Sequence, residues 1–518
     1  MIHLSKSRFV SGAQCEKKLY FDLFRKDLKP PVTAQQQKLF DSGHEIGVLA
    51  QQVYHGGRDA SPEHYPDFSK SLADTREWIE AGVNTIYEAA FQVEGVLAAL
   101  DILHHEDGER WAIEVKSSGS VKEYHLTDAA LQYWVMVHSG FKPDKVFLMH
   151  INKPYIRQGR IDPKALFKLA DITEKVLERQ DWVTQKIAEF RLLKEDHEPM
   201  IEIGKHCHDP FACDYIQNCW QHLPAHSVFE LTHARGKDWD LYHQGITGLA
   251  DIPEEIPLSH RQRIQVDGIK HGSAYTDQNA ISVFLGNWTY PLYFFDFETV
   301  FPAIPILNGT SPFQQVPFQY SLHIVTGLET KMDHREFLAD PAQFVASWSI
   351  NDPSRTIPTE EAILEDPRKS LINQLRMDIK PGGSIIAYNA TFEIEVLKDL
   401  AKAFPEDKDF IDDLLSRVID LLIPFRKAWY YLPQMGGSAS IKSVLPAVAP
   451  AFSYADLEIS NGGDASDLFY SMIKGTFEGD INETRNHFLQ YCERDSEGMV
   501  VLWRELLNCL NGPLSKQE

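Results

Sequence analysis

Residues 95 to 118 read GVLAALDILHHEDGERWAIEVKSS, two apolar runs separated by Asp107-Gly108, one of the strongest two-residue hairpin signals. With Asp107 and Gly108 as the central turn residues, Asp101 lies directly opposite Glu114, and the two side chains share a face about 5 Å apart at Cβ. Like charges directly opposite each other destabilise a sheet, so the pair calls for a cation such as Mg²⁺ between them. The strand period of two puts Lys116 on the same face as Glu114, placed to orient or deprotonate an attacking water. Gln132, on the helix expected next, is positioned to hold this group together, and His44 in DSGHEIGVLA offers an additional ligand. Alone, an E-x-K pair is ordinary on a solvated hairpin in a chain with 74 acidic residues. The apolar Ile113 and Val115 beside it argue for a strand packed on a core.

Working outward, 518 residues exceed the ~250 to 300 at which one hydrophobic core stops growing, so two or three domains are expected. With 43% hydrophobic and 24% charged residues, the composition excludes disordered, fibrous and disulfide-dense classes. Lys and Arg total 51 against 74 Asp and Glu, a net charge of -23 that repels phosphate backbones. Any nucleic-acid contact must then come from metals or local positions such as the Lys116 region and the aromatic Trp429 to Tyr431. MIHLSKSRFVSG has no apolar signal core, and no apolar stretch approaches the ~20 residues of a membrane span. A cytoplasmic protein without membrane contact is expected.

Three of the six cysteines crowd into KHCHDPFACDYIQNCW, residues 205 to 220, where His, Asp and Pro interleave them as in a loop rather than a core. With Cys15, the group Cys207, Cys213 and Cys219 makes four thiols. In a reducing compartment these are read for metal before bridges. Four thiolates suit an iron-sulfur cluster and zinc about equally.

An α/β domain is expected over 1–225, with helices through KKLYFDLFRKDL and QQQKLFDSGHEIGVLAQQVY, strands around 86–116, and helices from about Leu126 to Arg191. Residues 226–290 read as a helical connector without a core of their own. A second α/β domain over 291–518 has strands at YFFDFET and FQYSLHIV, a strand-to-helix step at GSIIAYNATFEIEVLKDLAKAF, and a closing helix at about 484–510. YYLPQMGGSASIKSVLPAV between them reads as a loop over a cleft. In YFFDFET, Asp296 and Glu298 share one strand face, where burial without a cation is costly. In YCERD, Tyr491 and Asp495 share one helix face, so a phenol and a carboxylate reach the same centre.

The order His44, Asp101, E-V-K at 114 to 116 and Gln132 resembles the RecB-like nucleases of the PD-(D/E)XK superfamily. One Cys near the start and three after the nuclease core is similar to its iron-sulfur members: the CRISPR-adaptation nucleases, the AddB subunit of helicase-nucleases and eukaryotic exonuclease V. The resemblance implies a 4Fe-4S cluster on Cys15, Cys207, Cys213 and Cys219, clipping the N-terminal helix to the domain's end. The even 207/213/219 spacing departs from relatives that carry two of the three closer together, and zinc stays open.

Asp296, Glu298 and Y-x-x-x-D at 491 to 495 resemble the DnaQ-like exonucleases on the ribonuclease H fold. Asn389-Ala390-Thr391-Phe392-Glu393 looks like their second motif, with Glu in place of Asp, and Asp420 resembles the acid that follows it. Whether Glu393 or Asp420 completes the set is open. DFET, PFQYS, NATFE and GSASIKSVLP together resemble an uncharacterised bacterial domain family found joined to RecB-like nuclease domains. The resemblances imply two Mg²⁺ or Mn²⁺ ions on Asp296, Glu298, Asp495 and Glu393 or Asp420, with Tyr491 orienting the attacking water. They imply a restriction-endonuclease-like domain plus a ribonuclease H-like exonuclease domain degrading DNA or RNA from ends, in DNA repair or anti-phage defence, with a helicase or defence-system partner. The alternatives are a nucleic-acid-end binding scaffold with one or no active site, and a hydrolase of small nucleotides.

Overall fold

The computed structural model describes residues 2–348, 366–452, 454 and 456–511. The chain is mixed α/β and divides into two compact units. One is Met1–His222 with Ala303–Pro305 and Thr310–Phe313; the other is Leu223–Pro302 with Ile306–Gly309 and Gln314–Glu518. Residues 226–290 thus cluster with the second unit, and they carry a small core of their own built on Val228, Leu241, Leu249 and Val266.

In the first unit, β1 (Leu4–Ser5), β2 (Arg58–Asp59), β3 (Thr85–Val93), β4 (Val96–Glu106), β5 (Glu109–Lys116), β6 (Lys145–Ile151) and β7 (Phe167–Asp171) form one sheet. Its order is β2-β3-β4-β5-β6-β7, with β1 parallel beside β4. Asp107 and Gly108 have φ of 50° and 84°, the doubly positive turn that two-residue hairpins favour. The β4/β5 ladder pairs Ile102 with Ile113 and Leu103 with Ala112, the register expected from that turn. It stops one pair short of Asp101, whose carboxylate Oδ2 accepts from the Val115 N–H at 2.5 Å instead. The parallel step from β5 to β6 crosses over through the helix Glu123–His138, buried along most of its length.

The stretch from about Leu126 to Arg191, expected as helices, also contains β6 and β7. VFLMHI is a short continuous apolar run, which reads equally as buried strand or helix until its two neighbours in the sheet are known.

The second unit contains β8 (Tyr275–Thr276), β9 (Leu292–Val300), β10 (Val316–Val325), β11 (Asp333–Leu338), β12 (Ser384–Ala387), β13 (Val418–Asp420) and β14 (Tyr430–Tyr431). Five of these form a sheet in the order β11-β10-β9-β12-β13, antiparallel across β11-β10-β9 and parallel across β9-β12-β13. β8 and β14 form a separate ribbon. β9 is apolar on both faces because both are covered. Tyr293, Phe295 and Phe297 pack with Leu371, Val396 and Leu400, whereas Phe294 packs with Met499 and Trp503 of the long helix Ile481–Asn511. By alternation, Asp296 and Glu298 fall on the face covered by the long helix.

The loop expected at 430–448 holds β14 and the helix Ile441–Val448, which buries Val444 and Leu445. Among the described residues no helix is long and apolar enough to cross a membrane.

Gly383 precedes β12 with φ of +79°, and a Cβ there would lie 2.2 Å from the Pro291 carbonyl oxygen. Both the backbone strain and the clash oppose any side chain. Gly383→Ala is expected to destabilise the second unit by about 3 kcal/mol, read by denaturant unfolding.

Candidate functional site

In the first unit, strand, hairpin and helix bring Asp101, Glu114, Lys116 and Gln132 together. Glu114 is buried, and all its bonds are charged or polar: Oε1 accepts from Lys116 Nζ at 2.5 Å and Lys6 Nζ at 2.9 Å, and Oε2 from Gln132 Nε2 at 2.6 Å. Lys116 also donates to Asp128 Oδ2 at 2.6 Å. Burial pushes the Glu114 carboxyl up, but Lys116 and Lys6 override it and hold Glu114 well below the usual range. Asp101 goes the other way, raised by burial and by Glu114. Lys116, opposed by burial, is held above its ordinary value by Glu114 and Asp128, so in this arrangement it is a charged donor.

Three members of this centre carried no sequence signal. Lys6 comes from the helix Lys6–Gln14 and Asp128 from the helix Glu123–His138, and both lie outside any motif. Glu88 sits in β3 with φ of 53°, opposite the point where the β4/β5 ladder ends. Burial, with Glu114 and Asp59 nearby, lifts it to about 7. Four carboxylates (Glu88, Asp101, Glu114, Asp128) therefore face two ammoniums, and Asp128 Oδ1 is buried without a hydrogen-bond partner. That donor set suits a divalent cation. His44 is exposed on the helix Ala34–Gln51, which packs against β5, and takes no part in these bonds.

The four cysteines do converge. Cys15, Cys207, Cys213 and Cys219 line one small enclosed cavity, closed by Phe21, Ile203 and Tyr215. Cys15 is the residue before the helix Glu16–Phe24, and the Cys213 N–H donates to the Cys207 carbonyl at 2.8 Å. Gln14 Nε2 ties the N-terminal helix to this loop through the His206 and Phe211 carbonyls, at 2.8 and 2.7 Å. All four thiols are free.

In the second unit, Asp296, Glu298, Tyr491 and Asp495 line an open cleft of about 390 Å³ with Phe301, Phe392 and Gly462. Carboxylate oxygens of Asp296 and Glu298 and the Cys492 sulfur lie within 4.8 Å of one another. Asp495 accepts from Tyr491 and, at 2.6 Å, from Tyr454, a second phenol that sequence reading missed. Burial first and the neighbouring acids second raise Asp296 well above the carboxylate range, and burial with Asp495 lifts Glu298 to about 8.

Glu393 and Asp420 separate clearly. Glu393 is buried, is lifted to about 8 chiefly by burial, interacts with Asp296 and Glu298, and its Oε2 has no hydrogen-bond partner. Asp420 Oδ1 is committed to the Asn389 and Leu422 N–H groups, both at 3.0 Å, and Arg426 lies 3.5 Å from Oδ2. The cation that acts on Glu298 and Asp495 is Lys442, from the helix Ile441–Val448. Trp429 to Tyr431 do not form a stacking platform: Tyr430 and Tyr431 are in the core, with the Tyr430 hydroxyl donating to Glu505. Two successive tyrosines in a strand paired with β8 are held by packing there, which composition alone does not reveal.

Residues 293–440 match the model of a family described as a domain of unknown function (DUF2779). The chain is 25% identical over 221 residues to the "Uncharacterized protein MG366 homolog" of Mycoplasma pneumoniae, covering 40% of this chain and 31% of that protein. It is 23% identical over 232 residues to "Uncharacterized protein UU173" of Ureaplasma parvum, covering 40% of this chain and 30% of that one. The matches thus span about a third of the length of these curated relatives.

Proposed function

We propose that the chain is a metal-dependent nuclease that degrades DNA or RNA from ends, with one acidic centre in each unit. The observation that carries this reading is the quartet Asp296, Glu298, Glu393 and Asp495, three buried carboxylates and a half-buried one, Asp296, set against Lys442. Such a group either takes up protons or binds cations. The free Glu393 Oε2 favours Glu393 over Asp420 as the remaining ligand.

When bound there, Mg²⁺ or Mn²⁺ supplies charge stabilisation for in-line displacement at phosphorus. The residues of the chain supply the rest. Tyr454 and Tyr491 fix the Asp495 carboxylate by two phenol hydrogen bonds, and Tyr491 orients the water. Lys442 offsets part of the acidic charge. Phe301 and Phe392 give the cleft apolar rings on which bases can stack, so affinity need not come from net charge.

A sheet ordered 3-2-1-4-5, with its first three strands antiparallel and the rest parallel, supports the resemblance to the ribonuclease H fold. In the first unit, the hairpin that carries Asp101 and E-V-K, followed by the helix of Gln132, supports the RecB-like reading. The enclosed cavity of four cysteines supports a 4Fe-4S cluster. One observation favours a narrower reading, a nucleic-acid-end binder active only in the second unit. Both Glu114 oxygens are already bonded, to Lys6, Lys116 and Gln132.

The test is cleavage of end-labelled single- and double-stranded DNA and RNA in Mg²⁺ or Mn²⁺. Asp296→Ala in an Asp101→Ala background is expected to stop stepwise release of mononucleotides. A double variant that digests ends as fast as wild type would sink the reading. Asp296→Ala alone then reports on the first centre, and residual cleavage abolished by Glu114→Gln assigns it there. Tyr491→Phe is expected to retain metal binding and lower kcat by about 10²-fold. Glu393→Ala is expected to lose metal-dependent activity, with Asp420→Ala the milder change.

Protein purified anaerobically is expected to be brown, with the broad visible absorbance of iron-sulfur charge transfer. Cys213→Ala is expected to bleach it and lower the melting temperature, because binding a metal group at the end of a fold contributes folding free energy. Colourless protein with stoichiometric zinc at the cysteines would replace the cluster by a zinc site.

A further inference from the structure

Outside the acidic centres, one cluster in the second unit has the chemistry of a metal site. His323 of β10 and His334 of β11 are directly paired across the ladder, with ring centroids 4.6 Å apart and planes at 24°. Glu493 of the long helix reaches the same point, and one donor atom from each of the three lies within 4.8 Å of the others.

The far nitrogens of the two rings are already committed. His323 Nδ1 is 2.8 Å from Ser496 Oγ, His334 Nε2 is 2.9 Å from Ser321 Oγ, and the two serine hydroxyls are 2.7 Å apart. This fixes both ring orientations and leaves His323 Nε2 and His334 Nδ1 as donors. It is the outer-shell arrangement that orients metal-binding imidazoles. His334 Nδ1 lies 3.6 Å from Glu493 Oε1, too long for a hydrogen bond and near the ~3.4 Å between two ligands of tetrahedral zinc with bonds of ~2.1 Å. The serines account for one nitrogen of each ring, and Glu493 is the neighbour of the second nitrogen of His334.

We propose that His323, His334 and Glu493 bind a divalent transition-metal ion, zinc by preference, which pins the long helix to the outer strands of the second sheet. Two imidazoles and one carboxylate select zinc over Mg²⁺, which favours all-oxygen sites. His323 is buried while Glu493 is 48% exposed, so the ion has a path in from solvent. The donors are separate from those of the acidic cleft, and the proposal stands whether or not that cleft is a nuclease.

The test is zinc content per chain after dialysis of the full-length protein against zinc in excess Mg²⁺, with thermal melts alongside. Wild type and Asp296→Ala are expected to hold one zinc equivalent that His334→Ala and Glu493→Gln both lose. Added zinc is expected to raise the melting temperature of wild type but not of Glu493→Gln, an exposed change that spares the buried ring. Equal zinc in wild type and His334→Ala, no zinc in wild type, or zinc lost only on Cys213→Ala would each overturn the assignment.

Discussion

Ionised carboxylates do not stay together inside a protein without counter-charge, and both units are arranged around that constraint. The first unit meets it in part from its own chain. Lys6 and Lys116 converge on Glu114, and the remaining excess of acid is borne by Asp101, Glu88 and Asp128, all shifted upward. Among the described residues, the second unit brings Lys442 to its acids and leaves Glu393 with a bare buried oxygen. The two centres are therefore not equivalent: the ammoniums of Lys6 and Lys116 bond directly to the first, whereas the second keeps more of its acidic charge unpaired.

The same contrast explains why each centre sits where it does. An acid in mid-strand is tolerated where the ladder breaks. Asp101 lies just beyond the last β4/β5 pair, and Asp296 lies where β9 runs past its last pairing with β12. The apolar residues on either side, Leu100 and Ile102, Phe295 and Phe297, anchor the strand so that the acids cannot swing to bulk water.

What the sequence made legible was whatever local geometry dictates. Asp107-Gly108 forces a two-residue turn, and the turn forces the register of every pair behind it. Spacing of two on a strand put Asp296 beside Glu298, and spacing of four on a helix put Tyr491 beside Asp495. Lys6, Glu88, Asp128 and Tyr454 were invisible because each reaches its centre across the fold without a spacing that marks it, and Lys442 stood inside GSASIKSVLP without a role. VFLMHI was misread because a buried strand and a buried helix segment share one composition. The cysteines were legible as a group, and the fold brings all four to one cavity.

The long helix carries Tyr491, Cys492, Glu493, Asp495 and Ser496 within two turns, and these residues serve two different clusters on adjoining strands. One inserted or deleted residue in that span would rotate everything beyond it by about 100°. Tyr491 could then no longer meet Asp495, nor Glu493 keep its place beside a Ser496 that faces His323. The segment 491–496 is therefore a reading frame within the fold: point substitutions alter one cluster at a time, whereas a change of length disables both together.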